Sequence, residues 1–505
     1  MLSTSAQARW TELDSDRSSF IRRCEKYASF TIPKVCLPQG YNQNQNELQH
    51  DYQSLGAQAV NHLSNKLMLA LFAPSRPFFR LDPGPKMLAQ LAQLELSDDE
   101  LSAILAVAEK NAVKILDQRA IRPKLYEAIK HIIVTGNAML ILGKKPKVLG
   151  LKNYVVKRDP EGKVLETITK ESVAQSALDP AVLQLLLASN QIVDAPHATV
   201  NLYKWVVWEK GSYRLTQWVN EVKLPSKFNG KYTEDTMPYR AITWDLASGD
   251  DYGTGLVEDF SGDFASLSIM SEATIQSAIL ASEFRWLVNP AGQTKPEDLQ
   301  NSRNGDALPG TKGDIELLQS GSNSNLAVNL QIGEQYINRI GAGFLLQSAV
   351  TRNAERVTAE EIRQTAEELE TGLGGAYSRI AVDVQAPLAT WLMNESGQKI
   401  AGSDIKPTIV TGLDAMSRTG DRDNLMLFLQ DVAGIGQLPE TVQVRLKLTP
   451  IIAAFAAARG LGTGTYLLTE DEAQQVIQQQ QQQAMQMEML KRGVDPNQPQ
   501  GQPTQ

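Results

Sequence analysis

The sequence predicts an α+β, mainly helical chain. Three observations carry that expectation. The stretch Thr254 to Phe284 reads as a single long helix without Lys or Arg, two runs near residues 154–169 and 202–219 read as β-hairpins, and the remaining patterned segments repeat at helical spacing. Length and composition fit: 505 residues, 42% hydrophobic and 21% charged, suffice for several cores.

In chain order, Val60, Leu63, Leu67 and Leu71 recur at helical spacing until Pro74 and Pro77 end the pattern. Ser97 and Glu100 form a capping box that opens a second helix through Ile115, and a third follows Pro123 and stops before Gly136. The period then changes. Asp159-Pro160-Glu161-Gly162 separates two β-rich runs, Lys210-Gly211 separates LYKWVVWE from SYRLTQWV, and YRAITW (239 to 244) adds a strand.

In the 254–284 helix, Leu256, Phe260, Phe264, Leu267, Ile275 and Ala278 share one side, and Glu258, Glu272 and Glu283 cluster opposite. Ile269 and Leu280 fall outside the stripe, which predicts contacts on two flanks. Such a helix is about 45 Å long, with Gly262 its weak point at about 1 kcal/mol relative to Ala. Residues 285–325, rich in Pro, Gly and Asn, predict a small loop-and-strand excursion, and Leu326 to Leu346 predicts a return helix. Thr358 with Glu361 caps a charged helix that Gly372, Gly374 and Gly375 kink before a segment reaching Pro387 or Trp391. Helical patterning resumes from Asp421 to Ala458. Thr469 with Glu472 opens a last segment, which dissolves into six glutamines and an end expected to be disordered.

Chemistry is sparse. GDALPGTK (305 to 312) has Gly-Thr-Lys where a phosphate loop needs Gly-Lys-Thr/Ser, so nucleotide hydrolysis is rejected. The four histidines have no metal-ligand spacing, and His62 and His131 are expected on helix surfaces or core edges. Asp245, Asp250 and Asp251 suit a loop better than a cation site, so no metal and no cofactor are expected. Cys24 and Cys36 read as ordinary thiols, no signal peptide is recognisable, and no apolar run is long enough to span a membrane. A net charge of −8 argues against broad phosphate neutralisation, yet allows a surface past which DNA slides. Arg352, Asn353 and Arg356 form the most suggestive polar cluster. On composition alone a solvated turn, with the arginines paired to Glu355, Glu360 or Glu361, describes them better.

Four segments carry a resemblance: DYQSLGAQAVNHLSNKLMLALFAP (51 to 74), YVVKRDPEGKVLETITKESVA (154 to 174), LVNPAG (287 to 292) and AERVTAEEIRQTAEELETGLGGAYS (354 to 378). They resemble the portal proteins, or head-to-tail connectors, of short-tailed bacteriophages of the autographivirus type. The resemblance implies a non-enzymatic ring, typically a dodecamer, around an axial channel at one capsid vertex, through which double-stranded DNA is packaged and ejected. It implies a wing over 1–253, stem helices at 254–284 and 326–346, a clip at 285–325 and a tunnel loop at 347–357. It further implies a wing helix with its return over 358–410, a crown over 411–470 and a tail over 471–505. In that scheme Gln347, Arg352, Asn353 and Arg356 contact DNA in the tunnel loop, and Glu258, Glu272 and Glu283 supply an acidic stem wall. The implied partners are the terminase large subunit, a tail adaptor protein, the major capsid protein, and scaffolding and internal core proteins. The virion, assembled in host cytoplasm, is the implied location. A nucleic-acid enzyme and a scaffold without a conduit are the competing readings.

Overall fold

The computed structural model describes residues 5–42, 44–72, 77–84, 98–189, 197–282, 284–319, 323–346, 371–397 and 405–409, with a few isolated positions. The chain divides into units 1–412 and 413–505, and the helices and strands named below all belong to the first. The readings made for 411–505, for the helix opening at Thr358, and for Gln347, Arg352, Asn353, Arg356 and Glu283 fall outside the described residues.

Helix α1 (Ala6–Asp16) starts where the Ser5 hydroxyl accepts from the Ala8 N–H at 3.2 Å. Helices α2 (Ser18–Phe30) and α3 (Leu55–Leu71) come next, and α3 buries Val60, Leu63, Leu67 and Leu71, the set its spacing predicts. After strand β1 (Phe79–Pro83) come α4 (Asp98–Gln118) and α5 (Ile121–Thr135). Helix α5 begins two residues before Pro123, which its first turn tolerates because N–H groups there lack intrahelical partners. It ends at Gly136, whose φ of 75° is the left-handed cap that glycine supplies.

Strands β2 (Asn137–Ile141), β3 (Lys147–Leu149), β4 (Tyr154–Arg158) and β5 (Val164–Ala174) come next. Helix α6 (Pro180–Ala188) then precedes β6 (Thr199–Glu209), β7 (Ser212–Val219), β8 (Val222–Lys223), β9 (Gly230–Tyr232) and β10 (Tyr239–Thr243). The β4/β5 and β6/β7 hairpins are both antiparallel. In the first, Asp159 accepts from the N–H groups of Glu161 and Lys163. In the second, Lys210 and Gly211 both have positive φ, as a two-residue primed turn requires. These strands form one six-stranded sheet in the order β4-β5-β6-β7-β8, with β9 on β7, while β10-β2-β3 make a three-stranded sheet.

The long helix is corrected. The structure divides it into α7 (Leu256–Asp259) and α8 (Ser261–Ser282), with Phe260 at φ −101°, ψ 10° between them. Phe284 opens β11 (Phe284–Val288) rather than closing the helix. Gly262, the expected weak point, lies inside α8; the break comes two residues earlier, at Phe260, whose ring lies over Gly343, where any Cβ would overlap it. The excursion holds α9 (Pro296–Asn301) and β12 (Ile315–Gln319), paired antiparallel to β11. The return helix α10 spans Asn323–Gly343, three residues earlier than its apolar pattern suggests.

Gly374, at φ +47°, precedes α11 (Gly375–Ile380), a π turn (Ala381–Gln385) and α12 (Ala386–Glu395). Pro387 has no N–H to offer residue 383, and the helix widens just before it instead of stopping there. Strand β13 (Ile405–Ile409) pairs with β1. One continuous core joins α2 to α5, β2, Phe264, Leu267, Ile340, Phe344 and residues 377–393. A second lies between α1 and the large sheet, around Trp10, Val155, Ile168 and Tyr203. Of the two placements expected for His131, helix surface or core edge, the structure gives the buried one, at 9% exposure with no hydrogen-bond partner for Nδ1.

Candidate functional site

Two antiparallel helices, α8 and α10, joined at one end by the β11/β12 excursion and rooted at the other in the main core, are the feature that sets this chain apart. The root begins where residues 253–255 thread across the end of α5. A Cβ at Gly136, Gly253 or Gly255 would overlap backbone atoms of the opposing segment, so the close approach demands glycine at all three. Asn137 then ties the segments together. Its Nδ2 donates to the carbonyls of Gly253 at 2.6 Å and Thr135 at 2.8 Å, and its Oδ1 accepts from the Gly253 N–H at 2.9 Å. Trp244 N–H adds a bond to the Gly136 carbonyl at 3.0 Å, and Asp245 and Thr254 form a bridge.

Aromatic rings join the helices next to the root. Phe344 is fully buried and lies 5.5 Å from the Phe260 ring and 5.8 Å from the Phe264 ring. Arg339 reaches Asp263 at 3.5 Å. A loop braces the outer side of α8: Ser268 donates to the Asp51 carboxylate, which also accepts from Gln53 Nε2 at 2.7 Å. At the far end of α3, the Lys66 ammonium donates to the Leu345 carbonyl at 3.0 Å and to Glu368 at 2.9 Å.

The two described acidic stem residues have different surroundings. Glu258, on α7, accepts from Arg23 at 3.3 Å and faces α2; burial, with this carboxylate beside it, pushes the Tyr27 hydroxyl up to about 12. Glu272, on α8, accepts from Gln276 at 3.2 Å, and its charge and hydrogen bond raise the exposed Tyr52 hydroxyl. The structure therefore does not bring Glu258 and Glu272 together on one helix face.

Beyond the root, large apolar side chains of both helices leave the core. Ile269, Ile275 and Ile279 on α8 are 66%, 45% and 55% exposed, and Val328, Leu330 and Ile337 on α10 are 52%, 54% and 44% exposed. Within the excursion, Asp314 gathers the N–H groups of Gln293 and Thr311 at 3.0 Å and the Thr311 hydroxyl at 3.0 Å. These donors hold its carboxyl below the usual range. Residues 305–312 lead through this knot into β12, not into a helix, so they are not in the setting of a phosphate loop.

Among the described residues no three His, Cys, Asp or Glu side chains are grouped to hold a metal, and no helix is long and apolar enough to cross a membrane. Burial pushes both thiols up, Cys36 to about 11, which keeps them protonated and unreactive near neutrality. Asn137, Lys66 and Asp51 were not singled out in sequence. A readable signal existed for two of them: Gly-Asn directly after a helix, and one Lys on a face otherwise built from Leu63 and Leu67.

The described residues thus centre on a rooted helical hairpin with an excursion at its tip. The chain belongs to the bacteriophage head to tail connecting protein family, whose model matches residues 3–466. It is similar to the portal protein of Enterobacteria phage SP6, 32% identical over 491 residues that cover 96% of this chain and 94% of the relative. The portal protein of Escherichia phage T7 is 32% identical over 502 residues, covering 96% and 91%. That of Pseudomonas phage phiKMV is 31% identical over 496 residues, covering 96% of each. The function is accordingly that of a phage portal protein.

Proposed function

We propose that copies of this chain close into a dodecameric ring at one capsid vertex, with α8 and α10 as the stem and the channel for double-stranded DNA on the ring axis. The observation that carries the ring is the set of exposed large apolar side chains on both helices, which the chain's own core reaches only near Phe264, Leu267, Ile340 and Phe344. Apolar surface of this kind is stabilised when a neighbouring helix covers it, at roughly 25 cal/mol per Å². The excursion at 285–325 would dock the terminase large subunit and later the tail adaptor, and the wing and the 411–470 region would meet the capsid protein, scaffolding and internal core proteins.

The net charge of −8 supports sliding rather than gripping, because an acidic wall gives phosphates no counterion to release. Of the described carboxylates in that scheme, Glu258 is engaged by Arg23, and Glu272 by Gln276 and by Tyr52 of the loop that braces α8. Electron microscopy of the purified full-length protein tests the reading. A ring with an axial passage wide enough for duplex DNA is expected; a solid assembly would support a scaffold instead, and a persistent monomer at high concentration would defeat both.

A further inference from the structure

We propose that Lys66 is a positioning residue for the conduit: one ammonium ties the end of the second stem helix to Glu368, farther along the chain. Lys66 lies on α3 between buried leucines, with its side chain only 4% exposed. A buried ammonium is strongly unfavourable unless its hydrogens are matched. The Leu345 carbonyl at 3.0 Å and the Glu368 carboxylate at 2.9 Å supply the match, and they come from opposite ends of residues 345–368.

The end of α10 gives a second, independent observation. Leu346 N–H bonds to the Gly341 carbonyl at 2.7 Å and Leu345 N–H to the Ala342 carbonyl at 3.2 Å. This is the paired bonding of a Schellman ending, in which the left-handed position normally belongs to glycine. Here Leu345 occupies it, at φ +55°. A branched side chain persists in that conformation only where its surroundings over-determine it. Lys66 holds its carbonyl, and its methyls sit against Gly372, where an added Cβ would come within 3.2 Å of them. Lys66, Leu345, Glu368 and Gly372 thus form one latch between α3, the end of α10 and the returning chain.

The latch also explains why a lysine stands between Leu63 and Leu67, one turn after His62, whose ring meets the same Leu345 backbone. Methionine would fill the same space with less desolvation, so packing alone gives no reason for the charge. What methionine cannot do is bind two oxygens at once.

The test uses the full-length chain with Lys66→Met, Lys66→Arg and Glu368→Gln, read first by hydrogen exchange. Lys66→Met is expected to form rings of unchanged subunit number, with the Leu345 and Leu346 amides exchanging at least tenfold faster and α5 and the large sheet unchanged. Lys66→Arg should recover most of the protection. In particles assembled with Lys66→Met as their only portal, nuclease-resistant DNA should fall several-fold, again recovered by Lys66→Arg. Unchanged exchange at 345–346 would overturn the latch, as would fast exchange with full DNA retention. Should Lys66→Met not fold, Glu368→Gln, whose carboxylate is partly exposed, is read by the same amides with the same two outcomes. The DNA arm rests on the conduit reading, and that reading fails separately, by wild-type assemblies that lack an axial passage.

Discussion

Replacing Asn137 by Ala removes three hydrogen bonds at the point where the stem leaves the body. Asn137 is 1% exposed, so water does not substitute for the lost amide. The change strands the N–H and the carbonyl of Gly253, while the Thr135 carbonyl keeps a weak contact from Cys24 Sγ at 3.8 Å. Each stranded buried group costs about 1–3 kcal/mol, which places the total at about 2–6 kcal/mol. A chain of this size need not unfold in one step, so a global melting temperature is a poor gauge. The local opening of the root is the better quantity. Amide exchange at Gly253 should accelerate by about a thousandfold for about 4 kcal/mol, since each 1.4 kcal/mol is tenfold. Exchange in α1 and the large sheet should not change. Asn137→Asp keeps the acceptor for Gly253 N–H but sets a carboxylate against two carbonyls, and should open the root at least as much. A folded Asn137→Ala protein with native protection at Gly253 would show that the three glycines alone hold the root and that the amide is dispensable.

Acidification should weaken the body of the protein. Burial lowers His131 from its ordinary value to about 4, so between about pH 6.5 and 4 the unfolded chain binds a proton that the folded chain refuses, and stability falls as pH falls. Complete loss would amount to about 3 kcal/mol at 1.36 kcal/mol per pH unit; His131→Gln should flatten the slope in denaturant titrations over that range, and an unchanged slope would assign it to other groups. Ile275→Asp with Ile337→Asp, both among the exposed apolar side chains of the two helices, should leave a folded monomer that no longer forms rings in sedimentation; rings of normal yield would remove these side chains from the interface. Arg352→Ala with Arg356→Ala should give rings that package or retain less DNA, and normally filled particles from the double variant would count against a tunnel-loop role.

Local rules made much of the fold legible. The helices at 55–71 and 121–135 follow from leucine and isoleucine spacing plus a glycine cap, and both hairpins follow from turn residues whose backbone preferences are intrinsic. The break at Phe260 was not legible, because neither Pro nor Gly stands there and its ring packs over Gly343, a residue of the distant return helix. Pairing of β1 with β13 joins strands from opposite ends of the described chain and leaves no local trace. The surroundings of the acidic residues were likewise not local. Glu258 and Glu272 share a wheel position only if the helix is continuous, and Arg23, 235 residues away in sequence, claims the first of them.

The stem divides into two regimes with different sources of stability. Near the root, Phe260, Phe264, Phe344 and the Asn137 amide belong to the chain's own core, so their order is settled when one subunit folds. Farther out, Ile269, Ile275, Ile279, Leu330 and Ile337 have little of their own chain to pack on, and an isolated helix pair with such faces is only marginally held in water. In the proposed ring, neighbours would cover these faces, and the outer part of the two helices would then gain stability from assembly by mass action. The two regimes meet at Gly343, which both seats Phe260 and ends α10 just before the left-handed Leu345. Strain transmitted along α10 from an occupied channel would therefore arrive first at a residue already in an unfavourable conformation, held by Lys66, and only then at the core.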